Sequence, residues 1–214
     1  MLIAGLMACT GWEYEKEMIA DFSKHVDYLV LRFDLNELEK NKSIRRGACL
    51  AYMDYMNECC ECSKWADHTK HFTSWSKWNR WNWRNELIRT LDEVKPHYVV
   101  FIDNDEGLPI NFTPDFLRFV DSNKAMMFFD YRMGTIEGRH VEKYPKVRHC
   151  KAFKWVPGLN YLDYKGYAQP SFPASMNITY YNKPDKRSVY LAQHPITHYC
   201  FYTKELEEQK ILHP

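Results

Sequence analysis

The chain has 214 residues, and its 29 Lys and Arg against 28 Asp and Glu leave a formal net charge of +1. That length suits one large domain with a well-buried core, and a composition 45% hydrophobic and 27% charged excludes a disordered chain. The even charge balance excludes a globally basic nucleic-acid binder, though not a local basic face, and apolar runs such as 98–102 fall far short of the roughly 20 residues of a membrane span.

Residues 2–9 are short and apolar and end at Thr10-Gly11, which predicts a buried first strand. Leu6-Met7-Ala8-Cys9 resembles a lipoprotein cleavage box, but no positively charged leader precedes it and the strand is the expected form. Residues 12–25 carry Trp12, Met18, Ile19 and Phe22 at helical spacing, and 26–34 form a second apolar run ending in Asp34. This βαβ opening predicts a parallel sheet with a ligand crevice beyond the carboxyl ends of its strands. Residues 35–73 are less legible, with a helix expected over 43–56 and a cysteine-rich tract after it. A long helix is expected over 74–94 with Trp75, Trp78, Leu87, Ile88 and Leu91 inward, and Lys95-Pro96 ends it. A compact strand over 97–102 leads into Asp103-Asn104-Asp105-Glu106-Gly107. Thr113-Pro114-Asp115 starts a helix to 122, followed by a strand over 125–131. Residues 139–154 are locally basic and 153–164 aromatic; 181–187 is expected to be a loop, and a short strand from 196 leads to a terminal helix.

Two carboxylates at the end of a buried strand, Asp103 and Asp105, offer hard oxygen ligands to Mg²⁺ or Mn²⁺. An ion held there stabilises a departing diphosphate; the alternative is a solvated acidic turn. The strand followed by Trp12-Glu13-Tyr14-Glu15-Lys16, then Arg84-Asn85, then Phe101-Ile102-Asp103-Asn104-Asp105-Glu106, then His198-Tyr199 with Tyr202, Thr203 and Glu205, resembles in order the motifs of family 2-type glycosyltransferases of the D-x-D-E subgroup.

That resemblance implies an α/β GT-A fold: Rossmann-like, with a mixed, mainly parallel sheet flanked by helices in a single domain. Residues 1–110 would be its nucleotide-sugar half and 111–214 its acceptor half. It implies that Asp103, Asp105 and His198 hold Mn²⁺ or Mg²⁺, with Asp103 shared with the donor ribose, that Arg84 and Asn85 orient the donor, and that Asp34 contacts the nucleoside. The D-x-S usual after that second strand is absent here. Inverting transfer needs a general base, for which Asp163, among aromatic neighbours, and Asp130 are the candidates.

Aromatic side chains beside cations suit base stacking. This makes Trp81, Trp155, Tyr161 and Arg148 the candidate acceptor contacts. The expected activity is transfer of a sugar from a nucleotide sugar, a UDP-sugar first among them, to a hydroxyl on a hydroxymethylated DNA base, as in virus-encoded DNA-base glycosyltransferases. A polysaccharide glycosyltransferase and a nonenzymatic nucleic-acid-binding module are the alternatives. Seven cysteines, an odd number that includes the adjacent Cys59-Cys60, make a poor disulfide framework and predict a reducing, cytoplasmic setting, and the lack of a long apolar run predicts no membrane attachment. Cys59, Cys60 and Cys62 with His68 and His71 offer a second reading as zinc ligands, although no finger spacing is matched.

Overall fold

The computed structural model describes residues 1–75, 82–134, 140–141, 148–164, 167–172 and 188–199. The chain opens with β1 (Ile3–Cys9), α1 (Glu15–Ser23) and β2 (Tyr28–Asp34), the expected βαβ unit. It continues through α2 (Leu35–Asn41), α3 (Cys49–Cys62), β3 (His68–Ser74), α4 (Asn82–Arg89), β4 (Tyr98–Asp103), β5 (Glu106–Gly107) and α5 (Phe112–Asp121). The remaining elements are β6 (Met126–Gly134), β7 (His140–Val141), β8 (Arg148–Lys154), β9 (Asn160–Tyr164), β10 (Tyr167–Ser171), β11 (Val189–Leu191) and β12 (Ile196–His198).

The main sheet runs β3-β2-β1-β4-β8-β6-β12-β5, with β7 and β11 also paired to β6. Strands β3, β2, β1 and β4 are parallel, and antiparallel β8 separates β4 from β6. Because β8 is antiparallel to both neighbours, β6 again runs with β4, and β12 pairs parallel to β6. The fold is the expected one: a Rossmann-like, mixed but mainly parallel sheet in one domain. Strand β1 is central, and its Cys9 is fully buried.

Two cores form because successive side chains alternate between the faces of the sheet. On one face Met7, Leu31, Val100, Ile102 and Phe129 pack with Ile19 and Phe22 of α1, Leu38 of α2, Tyr55 of α3 and Phe116 of α5. On the other, Leu6, Val30, Val99, Phe101 and Phe128 pack with Trp83, Leu87 and Ile88 of α4 and with Leu159, Tyr161 and Phe172. Gly5 sets the distance of α1 from the sheet, since a Cβ there would lie 2.8 Å from the Phe22 ring.

The structure differs from the sequence reading in the middle of the chain. In place of a helix from residue 74, β3 reaches Ser74 and α4 begins only at Asn82. Seven backbone pairs to β2, from Tyr28 opposite His68 to Asp34 opposite Ser74, hold β3 in the sheet, a tertiary effect that overrides local pattern. Trp75, expected inward, is 46% exposed, its ring resting against Tyr52 and Arg46. Trp78 lies outside the described residues, as do 181–187 and the terminal helix. Residues expected to be helical over 43–56 are helical only from Cys49, and that helix, α3, runs on through the cysteine tract.

One buried carboxylate ties these elements together. Glu15 is fully buried and accepts hydrogen bonds from Thr10 N (2.6 Å), Gly11 N (3.2 Å), the Tyr55 hydroxyl (2.6 Å) and Asn104 Nδ2 (2.6 Å). Burial raises its pKa and these donors oppose the rise. The Glu15→Ala variant leaves those donors orphaned; a loss of about 3 kcal/mol in urea unfolding is expected, with Tyr55→Phe losing about 1 kcal/mol.

Candidate functional site

The apolar run of β4 is enclosed in the sheet, and Asp103, in register with Ala8 of β1, ends it at the carboxyl edge. The turn Asn104-Asp105 follows, and Glu106–Gly107 pairs with β12, His198 opposite Glu106 and Thr197 opposite Gly107. Tyr199 N donates to the Asp105 carbonyl at 2.7 Å, and a Cβ on Gly107 would lie 2.8 Å from the Tyr199 ring. The close approach of β12 delivers His198, whose Nε2 lies 3.4 Å from Asp105 Oδ2. The structure thus brings Arg84, Asp103, Asp105 and His198 together, four of the residues singled out from sequence, from α4, the β4 end and β12.

Residues from elsewhere balance the charge of this loop. Arg84 Nη2 donates to Asp103 at 3.1 Å, its guanidinium stacked on Trp83 and Phe101. Lys151 Nζ, from β8, donates to Asp103 Oδ2 at 3.1 Å and to Glu106 Oε2 at 2.6 Å. Glu106 also accepts from Asp103 N at 2.9 Å and from the Tyr131 hydroxyl. Burial works against the Asp103 charge, but Lys151 and Arg84 hold its carboxyl well below the usual carboxylate range. Burial likewise disfavours the Lys151 ammonium, yet Asp103 and Glu106 raise its pKa above that of a free lysine. Asp105 is pushed up to about 6, chiefly by burial, with His198 opposing and Asp103 and Glu106 adding to the rise. His149, whose ring centroid lies 4.4 Å from that of Tyr131, is pushed down to about 4 by burial and by Lys151.

Among the described residues, no three His, Cys, Asp or Glu side chains are grouped so as to hold a metal ion by themselves. The two donors that could hold a divalent cation here are one carboxylate oxygen and one imidazole nitrogen, Asp105 and His198, with 19% and 27% of their side chains exposed. Mg²⁺ is commonly bound through one or two carboxylates, waters and substrate phosphates, and of this pair Asp105 supplies one carboxylate. Asp103, bonded to both Arg84 and Lys151, presents less of its charge than the sequence reading gave it.

The other candidates lie apart or are engaged by the chain itself. Asp34 is 1% exposed and caps α2, accepting from Asn36 N and Glu37 N while pairing with Arg32. Asn85 clasps the Tyr161 backbone in both directions, at 2.6 and 3.0 Å. Tyr161 itself is enclosed, packed on Phe101 and Phe153. Arg148 pairs with Asp130 at 2.9 Å, both about half exposed. Trp155 packs at the margin of the second core. The backbone of Asp163 pairs with Ala168 in the β9–β10 hairpin. Trp81 lies outside the described residues.

The basic tract from 139 is no single solvated face among the described residues: Lys151 is buried, Arg148 is paired, and Lys154 bonds Asn123 Oδ1 at 2.5 Å. Of the zinc alternative, Cys60 Sγ lies 3.4 Å from His71 Nδ1, while Cys59 is buried with its thiol pushed up to about 12 by burial and His68 stacks on Tyr28. Sequence reasoning missed Lys151, Tyr131 and Glu15 as organisers of the site. Lys151 gave little signal, since it stands among other basic residues in sequence and its burial comes from the place of β8 in the sheet.

No family model and no curated protein matches the chain. Among solved structures it is similar to residues 1–349 of S. aureus TarS, at 15% identity and a TM-score of 0.42, over 67% of this chain and 39% of that one. It is also similar to 4-diphosphocytidyl-2C-methyl-D-erythritol synthase from Anaerococcus prevotii, at 11% identity and a TM-score of 0.43, over 72% and 70% of the two chains. A third structure, described as a glucose-1-phosphate thymidylyltransferase from Bacillus anthracis, gives 8% identity and a TM-score of 0.35, over 71% and 68%. The chain thus spans well under half of the TarS segment.

Breaking the buried ion cluster strands a carboxylate. Lys151→Met is expected to lose about 3 kcal/mol in urea unfolding, and Lys151→Met with Glu106→Gln to recover part of it. His149 gives a pH signature. An unfolded imidazole takes up its proton near pH 6.5 and the folded one near 4, so the unfolded chain binds more protons across that window and stability is lost as pH falls through it. The fall of Tm between pH 6.5 and 4 is expected to be shallower in His149→Gln, and the wild-type His149 ring signal in NMR should stay that of neutral imidazole down to pH 5.

Proposed function

We propose that this chain is a metal-dependent glycosyltransferase that takes its sugar from a nucleotide diphosphate donor, a UDP-sugar first among them. One observation carries the reading: β12 sets His198 3.4 Å from Asp105 at the carboxyl end of β4, beside an Asp103 oriented by Arg84. In this reading Asp105 and His198 hold Mn²⁺ or Mg²⁺, which supplies positive charge to the departing diphosphate. Arg84 and Lys151 fix the Asp103 carboxylate toward the donor ribose. Glu15, through Asn104, keeps the loop from moving when the donor enters. The first 110 residues supply most of this donor half, and the rest the acceptor side. Asp163 and Asp130 are the proposed bases for an inverting transfer, Asp130 after release from Arg148.

For the acceptor, a hydroxymethylated DNA base is the first to assay and a polysaccharide hydroxyl the alternative. Arg148 and Trp155 are the described residues left to contact it, since Tyr161 is enclosed in the core. No helix among the described residues is long and apolar enough to cross a membrane, and a soluble acceptor in the cytoplasm is the reading that matches.

Release of the nucleoside diphosphate from a panel of nucleotide sugars, with Mn²⁺ and with or without hydroxymethylated DNA, tests this. Asp105→Ala removes a side chain paired only to His198 among the described residues, so its unfolding midpoint should hold while turnover falls by about a hundredfold or more. Chelation of the metal should do the same. Pyrophosphate release in place of the diphosphate would establish nucleotidyl transfer instead. A folded Asp105→Ala variant with wild-type turnover, or one that binds DNA unchanged in a chain turning over no donor, would sink the transferase reading.

A further inference from the structure

We infer that Lys151 is an internal counter-ion that keeps a divalent cation from settling on the acidic loop until a diphosphate arrives, so that metal uptake is conditional on the donor. This rests on the transferase reading of the same loop and adds to it a residue which that reading does not require for metal binding.

The argument is one of charge and place. Asp103, Asp105 and Glu106 put three carboxylates within four residues of sequence, a concentration of negative charge that attracts a divalent cation, yet among the described residues no three such side chains are grouped to hold one. Here the space between two of them is filled by the protein: Lys151 Nζ bridges Asp103 Oδ2 and Glu106 Oε2, at 3.1 and 2.6 Å. Its side chain is 4% exposed, against 13% for Arg84, so water screens this cation least. The faces of Phe101 and Tyr131, 5.6 and 5.7 Å from Nζ, hold the ammonium where it is. With Lys151 and Arg84 both in place, the three carboxylates present a single net negative charge to an incoming cation. Only Asp105 and His198 then remain as ligands.

Two protein donors hold a hard cation weakly until phosphate oxygens complete its shell. A fixed positive charge within several ångström, in surroundings of low dielectric, opposes a divalent ion by a factor on the order of tenfold or more. A diphosphate brings both the missing oxygens and the missing negative charge. By linkage, whatever factor the diphosphate adds to metal affinity the metal adds to diphosphate affinity. The consequence for the enzyme is ordered loading, with no metal resident between turnovers to hydrolyse a donor prematurely or to retain the product.

Mn²⁺ binding to the full chain, followed by the loss of free Mn²⁺ signal in electron paramagnetic resonance and by calorimetry, tests this without any turnover. UDP serves as the diphosphate probe, and the Mn²⁺ that UDP holds in buffer is subtracted. Wild type should bind Mn²⁺ at least about tenfold more tightly with UDP than without. Lys151→Met should bind Mn²⁺ alone about tenfold or more tighter than wild type does and show a smaller gain from UDP. Lys151→Arg should behave as wild type. Should Lys151→Met fail to fold, Lys151→Gln, whose amide keeps a hydrogen bond to Glu106, carries the same readout.

Wild type binding Mn²⁺ equally well with and without UDP, or a folded uncharged variant with unchanged Mn²⁺ affinity, overturns the counter-ion inference and leaves the transferase reading standing. Absence of Mn²⁺ binding under every condition overturns both.

Discussion

A buried strand that ends in three acids within four residues cannot fold without cations to meet it, and this constraint shapes the middle of the molecule. Carboxylates withdrawn from water are tolerated only when paired and hydrogen-bonded. The cations come from elsewhere in the chain, Arg84 from α4 and Lys151 from β8, and His198 of β12 lies against Asp105. Strand β8 has to lie beside β4 for Lys151 to reach Glu106, and it is the antiparallel insertion that breaks an otherwise parallel run. The irregular feature of the sheet and the electrostatic requirement of the acidic loop are met by one strand.

The same logic operates at the neighbouring strand ends. At the end of β1, Glu15 collects donors from its own turn, from α3 and from Asn104 of the acidic loop. At the end of β2, Arg32, fully buried, bonds Glu86 at 2.6 Å and Asp34 at 3.3 Å. Charged groups of both signs therefore line the carboxyl edge from β2 to β8, most of them already answered by a partner within the protein. A charged group approaching this edge would compete with existing bonds, except at side chains still partly exposed. Asp105 and His198 are such a pair. Asp34 is not, because its carboxylate already serves as a helix cap.

The parts of this arrangement that were legible in the sequence are those encoded locally. An apolar run closed by Thr10-Gly11, a helical repeat, and a second run closed by Asp34 each state their element and its end, and the acidic sequence 103–106 states its own chemistry. What was not legible depends on pairing at a distance. His68–Ser74 is half polar and reads as nothing in particular, yet it is a strand because β2 offers it seven residues of backbone. Lys151 sits in a run of basic residues and looks like one more solvated cation until the sheet places it against Glu106. Tyr161 looked like a stacking platform because aromatics surround it in sequence, whereas folding turns it into the second core. In each case burial, which a single sequence shows only through periodicity, decided the role.

Burial also explains how a distant strand completes the site. Strand β12 is only three residues long, and its place is fixed by pairing to β6 on one side and to the two residues of β5 on the other. Neither partner alone gives much hold on so short a strand, since few ladder bonds and little apolar area are involved. Its Ile196 is fully buried in the first core, which anchors one end of the strand and leaves His198 at the other, two residues on and on the same face of the ladder. The position of His198 thus follows from that hydrophobic contact together with the ladder to β5 and the bond of Tyr199 N to the Asp105 carbonyl. Side chains held in place in this way have little conformational freedom left to lose.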